Sequence, residues 1–211
     1  HNEGSQIAGV IDTMPDYVDG VVVVDDASID DTVRVVKALQ QGRADLFLVG
    51  HEQNQGCGGA VITGYAWAAE RDFDVVVRMD GDGQMDPTIL DRIVDPVVTG
   101  EADYAKGDRL VDGDHWAEMS RWRLFGNTVL SLMTKVASGY WGMRDPQNGY
   151  TAISTETLLD ISVDDLYEDY GFLNDVLVRR NAHGKRVVDV PMRAVYADEE
   201  SGIQYRSFVP Q

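Results

Sequence analysis

The stretch VVVRMDGDGQMDP, residues 75–87, carries an apolar run directly into two aspartates. Its three consecutive valines predict a buried strand, because β-branched residues are enriched in strands. Asp80 and Asp82 follow on glycine joints at a spacing of two, which puts both carboxylates on one side of an extended backbone. Adjacent carboxylates repel, and hard divalent cations bind oxygen ligands. The stretch therefore predicts a strand that ends in a metal site of Asp80, Asp82 and Gln84.

The charge of the chain supplies the alternative interpretation of this stretch, an aspartate-rich surface turn. The 211 residues include 36 acidic and 18 basic side chains, for a net charge of −18, and only 4 of the basic residues are lysines. Such a chain has no basic surface for nucleic acid. The acids are spread along the whole chain, which excludes an acidic tail. An acidic functional surface and a salt-adapted surface both remain, and we adopt the second as the working hypothesis.

Apolar runs of strand length alternate with amphipathic segments of helix length. Helices are predicted at 4–18, 28–42, 58–70, 87–100, 120–138 and 170–184, and strands at 20–26, 46–50, 73–80, 104–109, 148–154 and 185–192. This alternation is typical of βαβ units and predicts an α/β fold, with a mostly parallel central sheet flanked by helices. No apolar run reaches the 18 residues of a membrane span. The single cysteine excludes an internal disulfide.

A second strand also ends in paired acids, Asp25 and Asp26. Ligands of open α/β sheets bind beyond the carboxyl ends of the strands, so a carboxylate there can accept from ribose hydroxyls or a base N–H. Ser28, with Asp31 three residues on, predicts a capping-box start for the next helix. The glycines of NQGCGGA (54–60) match neither the P-loop nor the dinucleotide fingerprint, which disfavours ATP hydrolysis and Rossmann-type binding.

Arginines and aspartates in the second half are candidates for anion binding and acid–base chemistry. Arg109, Arg121 and Arg123 follow the acidic motif, and arginine forks suit phosphate oxygens, although a surface ion pair is the alternative for each. Asp145, in the polar turn RDPQNGY (144–150), is a candidate base or binding carboxylate. Asp175 lies among apolar residues of a predicted helix and needs a partner if it is buried.

Taken together, these motifs resemble glycosyltransferase family two, which has the GT-A fold. The resemblance rests on HNE, VVVVDDASIDDT, NQGCGGA, RMDGDGQMDP, ADYAKGDRL and DPQNGY, which occur in this order over nearly the whole chain. It is greatest for the polyprenyl-phosphate sugar transferases, the dolichol-phosphate mannosyltransferase group. That group begins with a strand ending in Pro-x-Asn-Glu, of which only residues 1–3 match here, so we expect a first strand that is missing from this sequence.

The resemblance implies a role for each candidate residue. It implies that the residues binding the nucleotide-sugar are Asn2, Glu3, Asp25, Asp26, Asp80 and Arg109. Mg²⁺ or Mn²⁺ binding falls to Asp80, Asp82 and Gln84. Acceptor phosphate binding falls to Arg121 and Arg123, and catalytic roles to Asp145 and Asp175. A single domain over 1–211 is implied, with a nucleotide-sugar half (1–100) and an acceptor half (101–211).

The resemblance also implies the reaction, which is inverting transfer of a hexose from a UDP- or GDP-linked sugar to dolichyl or another polyprenyl phosphate. The enzyme is then expected at the cytoplasmic membrane face of a salt-adapted organism. Three alternatives stay open. They are a family-two enzyme with a saccharide acceptor, a sugar nucleotidyltransferase, and a non-catalytic nucleotide-sugar-binding protein. The second is weakened because a glycine-rich, basic loop after the first strand is absent.

Overall fold

The structure is a computed structural model that describes residues 1–109, 132–136, 139–140, 144–145, 148–162 and 172–192. The helices are α1 (Ile7–Asp12), α2 (Thr32–Gln40), α3 (Gly56–Ala69), α4 (Leu90–Val98), α5 (Thr155–Asp160) and α6 (Phe172–Ala182). The strands are β1 (Val21–Asp25), β2 (Leu46–Gly50), β3 (Val75–Arg78), β4 (Tyr104–Asp108), β5 (Thr151–Ser154) and β6 (Val187–Pro191). A 3₁₀ turn, Pro87–Ile89, precedes α4.

The described strands form two hydrogen-bonded sheets. β1 and β2 pair in parallel, and the second sheet has the order β3-β5-β4-β6. β5 is antiparallel to both of its neighbours, whereas β4 and β6 are parallel. Strands β3, β4 and β6 therefore run in one direction and β5 alone is reversed. The prediction of a mostly parallel sheet holds with that one exception.

Side-chain alternation along the strands divides the second sheet between two cores. On one face, Tyr104 and Ile153 are buried with Tyr65 of α3 and Phe172 of α6. On the other face, Ala105 and Ala152 are buried with Leu90 and Ile93 of α4. A third cluster joins α1 and α2 to the first sheet, through Ile7, Ile11, Val36 and Leu46. The helices thus cover both faces of the second sheet and leave the strand ends for the site.

Helix α3 packs against β1 in one sheet and β3 in the other. Near its end, the ring of Trp67 lies 4.8 Å from that of Phe47 on β2 and 5.8 Å from that of Phe73, just before β3. A Cβ on Gly20 would lie 3.0 Å from the Phe73 ring, so the chain approaches β1 closely there. This aromatic contact joins the sheets at the end opposite Asp25 and Asp80.

One helix is shorter than the sequence predicts, and another is described only in part. The helix expected at 4–18 ends at Asp12, where Thr13 Oγ1 donates to the carbonyl oxygens of Gly9 and Val10. Pro15 follows, and the residue before a proline disfavours helical dihedrals. Of the helix expected at 120–138, the structure describes 132–136, which are helical. No helix of the described residues is both long and apolar enough to cross a bilayer.

Candidate active site

The Asp80–Asp82 turn begins two residues after β3 and is fixed by short-range contacts. Gly83 has a φ of +74°, a left-handed conformation that glycine adopts without strain. The Gln84 backbone N–H donates to Asp82 Oδ1 at 2.9 Å, which holds the second carboxylate in an Asx turn. The first carboxylate accepts from Arg78, whose Nη2 lies 2.6 Å from Asp80 Oδ1. Both acids are therefore oriented before any ligand arrives.

The charge balance of the turn suits a cation. Burial raises the pKa of Asp80 above its ordinary value, and the charge of Asp82 adds to this rise while Arg78 and Arg109 oppose it. Within the described residues, no group of three or more His, Cys, Asp or Glu side chains is placed to hold a metal ion. A divalent ion bound by Asp80 and Asp82 would thus take its other oxygens from Gln84, water or substrate. The donor set fits Mg²⁺ or Mn²⁺, which commonly share their coordination with phosphates.

The first residues of the chain are bound to the loop after β1. Asn2 N–H donates to Ser28 Oγ, and Asn2 Oδ1 accepts from the Ile29 backbone N–H, both at 2.9 Å. Glu3 N–H donates to Thr32 Oγ1 at the same distance. Ser28 therefore holds Asn2, and α2 begins instead at Thr32, with the Asp30 carboxylate accepting from its backbone N–H. The predicted capping box at Ser28 is wrong.

These contacts place Glu3 beside the acidic turn. A Cβ built on Gly81 would lie 3.4 Å from Glu3 Cγ, so the side chain passes directly against the glycine between Asp80 and Asp82. A larger residue at Gly81 would press on Glu3. The structure thus brings together the acidic turn and the first helix, which the sequence separates by almost 80 residues.

Asp26 serves as an anchor for the loop that leads into α3. Its carboxylate accepts from the backbone N–H groups of Gln55 at 2.7 Å and Gly56 at 2.9 Å, and it pairs with His51 Nδ1 at 2.8 Å. Burial tends to raise its pKa, but these hydrogen bonds outweigh it and the pKa of Asp26 is lowered. On Asp25, Oδ2 accepts from Ser28 N–H, while the buried Oδ1 has no partner among the described residues. Within the described part of the chain, Asp25 Oδ1 is therefore available to accept a hydrogen bond from a ligand.

Arg109 and Asp145 form a bidentate ion pair. Arg109 Nε lies 2.7 Å from Asp145 Oδ2 and Nη2 lies 3.1 Å from Oδ1. The arginine side chain is 40% exposed and the aspartate side chain 6%. Burial of Asp145 opposes ionisation, but the hydrogen bonds and charge of Arg109 outweigh it and lower the pKa. The charge of Arg109 also reaches Asp80, which places the pair near the acidic turn.

The remaining candidates are placed less completely. Asp175 lies in the first turn of α6, where both carboxylate oxygens accept from Arg179 Nε at 3.2 Å. Its catalytic role stays a prediction. Arg121 and Arg123 lie outside the described residues.

Three residues that the sequence did not single out take part in this region. Arg78 holds Asp80, His51 holds Asp26, and Lys106 is fully buried on β4 among charges that include Asp145. Arg78 had a signal in the sequence, because residues two apart on a strand share a face and it precedes Asp80 by two. The partners of His51 and Lys106 come from other elements, and no local pattern indicates them.

Comparison with solved structures agrees with this fold. Glucosyl-3-phosphoglycerate synthase of Mycobacterium tuberculosis superposes with a TM-score of 0.65, over 95% of this chain and 70% of that one, at 24% identity. A mannosyltransferase from Pyrobaculum calidifontis, solved with GDP-Man and Mn²⁺, has a TM-score of 0.61 over 96% of this chain and 56% of that one, at 21% identity. The fold is the GT-A fold.

The family is given by sequence. Residues 1–161 match the model of glycosyl transferase family 2, to which this chain belongs. An undecaprenyl-phosphate mannosyltransferase of Micrococcus luteus is 34% identical, over 83% of this chain and 71% of its own. A UDP-N-acetylglucosamine–dolichyl-phosphate N-acetylglucosaminyltransferase of Methanococcus voltae is 27% identical, over 94% and 84%. The resemblance to the polyprenyl-phosphate sugar transferases is thereby confirmed.

Proposed function

We propose that this enzyme transfers a hexose, with inversion, from a UDP- or GDP-linked sugar to dolichyl or another polyprenyl phosphate in a reaction that requires Mg²⁺ or Mn²⁺. The observation that carries the proposal is the placement of the oriented acids Asp80 and Asp82 beside Glu3, within the electrostatic reach of Arg109. A metal–diphosphate site at these acids would lie near Arg109, whose partly exposed guanidinium now binds Asp145 and would suit a second phosphate. The names of the two relatives fit this acceptor class.

The donor would bind along the nucleotide edge, defined here as Asn2, Glu3, Asp25 and Asp26. Asp25 Oδ1 is the free acceptor for a ribose hydroxyl or a base N–H, whereas Asp26 fixes the loop before α3. Asp80 and Asp82, with Gln84, would hold the divalent ion. That ion would offset the negative charge that develops on the leaving diphosphate. The halves 1–100 and 101–211 would then serve donor and acceptor respectively.

The state of Asp145 favours a phosphate acceptor over a saccharide. In the transfer, an acceptor oxygen forms a bond to the anomeric carbon while the bond from that carbon to the diphosphate oxygen breaks. A saccharide hydroxyl must also lose a proton, and a general base works best with a pKa near the operating pH. The pKa of Asp145 is lowered and both its oxygens face Arg109. A phosphate monoester is already ionised and needs no such base.

The same proposal places the enzyme at the cytoplasmic face of a membrane, where a polyprenyl phosphate presents its head group. The acidic surface would suit a salt-rich cytoplasm, in which counter-ions screen its self-repulsion. Both statements follow from the acceptor and the net charge of −18 rather than from any anchor.

The decisive experiment is calorimetric titration of UDP-glucose, UDP-N-acetylglucosamine and GDP-mannose in molar KCl, first with Mn²⁺ and then with EDTA. Binding of one donor that EDTA abolishes would support the metal site and identify the base. That donor is then incubated with farnesyl phosphate, a short polyprenyl phosphate. Sugar transfer to it supports the acceptor class, whereas hydrolysis alone or transfer to saccharides contradicts it. Binding without any turnover would support the non-catalytic alternative.

A further inference from the structure

A row of polar side chains crosses the four-stranded sheet beside the acidic turn. The strand register pairs Thr151 of β5 with Arg78 of β3 on one side and with Lys106 of β4 on the other. Lys106 in turn pairs with Asp189 of β6. Directly paired residues on neighbouring strands project to the same face. Arg78, Thr151, Lys106 and Asp189 therefore share one face of the sheet.

This row contains most of the unsatisfied polar atoms in the described part of the chain. Four buried side-chain atoms there lack a hydrogen-bond partner, and three of them are Arg78 Nη1, Thr151 Oγ1 and Lys106 Nζ. Arg78 still has Asp80 on its other terminal nitrogen. The ammonium of Lys106 is 0% exposed and has three donors without a described acceptor. Burying a charged group costs stability unless the group is paired and hydrogen-bonded.

The charges around Lys106 connect it to the ion pair at the acceptor side. Burial lowers the pKa of Lys106 to about 8. Two carboxylates oppose this shift and raise the pKa, Asp145 more than Asp189. Arg109 lowers the pKa further and Asp108 raises it. In return, the charge of Lys106 lowers the pKa of Asp145. Asp145 lies beside the end of β4, where its Oδ2 is 3.5 Å from the backbone nitrogen of Arg109, three residues after Lys106. Arg109 contacts Asp145 directly, and Lys106 is a second, buried cation on β4.

We infer that Lys106 is a positioning residue that holds Asp145 as a fixed carboxylate when Arg109 turns away from it to bind a substrate phosphate. Arg109 is at the surface and Asp145 is not, so only the arginine can move toward a ligand. Without a second cation, its departure would leave a buried carboxylate uncompensated, which is strongly unfavourable. Lys106 is that second cation. That the ligand of Arg109 is a substrate phosphate rests on the proposed function. The charge relation among Lys106, Arg109 and Asp145 does not depend on it.

The chemistry of lysine fits this role better than that of arginine or methionine. An ammonium on a flexible four-carbon stem can follow a carboxylate that changes partner, whereas a guanidinium fork would lock onto it. Methionine would fill the same space in the sheet without an unsatisfied charge. A fully buried lysine that makes no described hydrogen bond is therefore best explained by a need for its charge.

A cycle of unfolding free energies tests the charge relation without any substrate. The variants are Arg109→Gln, Lys106→Met and the double variant, measured by urea unfolding at pH 7 in molar KCl. With Lys106 present, Arg109→Gln should change the unfolding equilibrium constant by less than about tenfold, because the arginine is partly exposed and Lys106 still compensates the buried carboxylate. In the Lys106→Met background, Arg109→Gln should raise the unfolding equilibrium constant roughly a hundredfold or more, because a buried carboxylate then loses both cations.

Two further variants make this result specific. Adding Asp145→Asn to the double variant should restore most of the loss, because the carboxylate is then gone. Lys185→Met removes an equal charge from a lysine paired with Asp160, and its effect should add to that of Arg109→Gln. Additive effects of Lys106→Met and Arg109→Gln, or a double variant that Asp145→Asn does not rescue, would overturn the inference.

A second arm uses the reaction itself, with the donor that the parent enzyme turns over and farnesyl phosphate. Lys106→Met should raise KM for farnesyl phosphate by about tenfold or more, as expected when a charged interaction is lost, and change the donor Kd by less than about twofold. Lys106→Arg should recover part of the loss. In an Asp145→Asn background, Lys106→Met should have no further effect on this KM. Equal losses for donor and acceptor would contradict a role through Asp145.

The two arms separate the two hypotheses. If the parent enzyme binds no donor and transfers no sugar, the proposed function fails. The unfolding cycle still decides whether Lys106 compensates Asp145. If sugar transfer occurs but the effects of Lys106→Met and Arg109→Gln on unfolding are additive, the proposed function is supported and the role inferred for Lys106 is rejected.

Discussion

Arg109 binds both oxygens of Asp145, with Nε–Oδ2 and Nη2–Oδ1 distances of 2.7 and 3.1 Å. The parallel geometry of this fork fixes the carboxylate in orientation as well as in charge. Because the arginine is half in solvent and the aspartate is buried, the pair presents a cation to a ligand and keeps its anion inside.

Replacement of Asp145 by asparagine should change stability in a pH-dependent way. The pKa of Asp145 is lowered in the folded state, so its ionic contribution is complete above the ordinary aspartate pKa of about 4 and is lost as the pH falls through the folded value. The difference in unfolding free energy between parent and Asp145→Asn should therefore be largest at neutral pH and shrink below about pH 4. Urea unfolding from pH 3 to 7 measures it.

The same variant should also lower turnover while sparing donor binding, since Asp145 faces Arg109 rather than the nucleotide edge. Turnover with farnesyl phosphate and donor Kd by calorimetry give the two quantities. Full activity would reduce Asp145 to a structural residue, and equal loss of donor affinity would place it in the donor site instead.

Asp82→Ala should abolish donor binding that depends on Mn²⁺, because one of the two oriented carboxylates is removed. Asp91→Asn is a matched control, since Asp91 is exposed in the first turn of α4 and lies outside the site. Calorimetric titration with and without EDTA compares the two variants. Unchanged donor affinity of Asp82→Ala in Mn²⁺ would remove the metal assignment.

Gly149→Ala should displace Arg78 from Asp80. A Cβ at Gly149 would lie only 2.1 Å from Arg78 Nη1, so the guanidinium must move. Loss of the charged hydrogen bond to Asp80 should weaken donor binding by roughly tenfold or more. In an Arg78→Gln background the shorter side chain leaves room, and Gly149→Ala should then have little further effect. A full loss in that background would show that Gly149 acts by another route.

His51→Ala should destabilise the fold and weaken donor binding together. His51 and Asp26 are each 6% exposed, and the ring also contacts Thr63 Oγ1 at 2.9 Å. Removing one partner of a buried hydrogen-bonded group costs about 1–3 kcal/mol. His183→Ala is the control, because His183 is exposed on the turn after α6. Urea midpoints of the two variants should differ clearly, and equal midpoints would contradict the anchoring role of His51.

Stability should rise with salt if the acidic surface is an adaptation to high salt. The Debye length is about 10 Å at 0.1 M salt and about 3 Å at 1 M, so repulsion among exposed carboxylates falls steeply over this range. The urea midpoint should increase from 0.1 to 2 M KCl and respond far less to an osmolyte such as sucrose. A midpoint that is flat or falling with KCl would reject salt adaptation and favour an acidic functional surface.

The sequence predicted the parts of this protein that depend on local pattern. Valine runs identified β1 and β3, and the acids lie at or beyond the ends of these strands as expected. The nucleotide and metal roles of those acids stay predictions. The prediction at Ser28 failed although its spacing was correct, because the first residues of the chain compete for the serine hydroxyl. A tertiary contact there overrides a local capping preference.

Which buried side chains of the site lie beside one another depends on the strand order, which no local sequence pattern contains. The charge in YAKGD is visible in the sequence, yet the carboxylates that act on Lys106 come from β4, β6 and the 144–145 turn. Similarly, Asp145 and Arg109 were each identified, but as separate candidates for a base and a phosphate ligand. Their pairing lowers the pKa of Asp145, which supports the proposal of a phosphate acceptor that needs no base.

The order of the strands also has a consequence for how the protein folds. Val21 pairs with Leu46 across a short connection, whereas Val75 must find Ser154 and Tyr104 must find Val187. Closing longer loops takes more conformational entropy before any contact repays it. We therefore expect β1 and β2 to form early and the β5 pairings late. Pulsed hydrogen exchange during refolding should protect the amides of Val23 and Leu48 before that of Ala152, and the reverse order would contradict this. The row of Arg78, Thr151, Lys106 and Asp189 is complete only once β5 and β6 have paired, so we expect Arg78 and Lys106 to become buried late in folding.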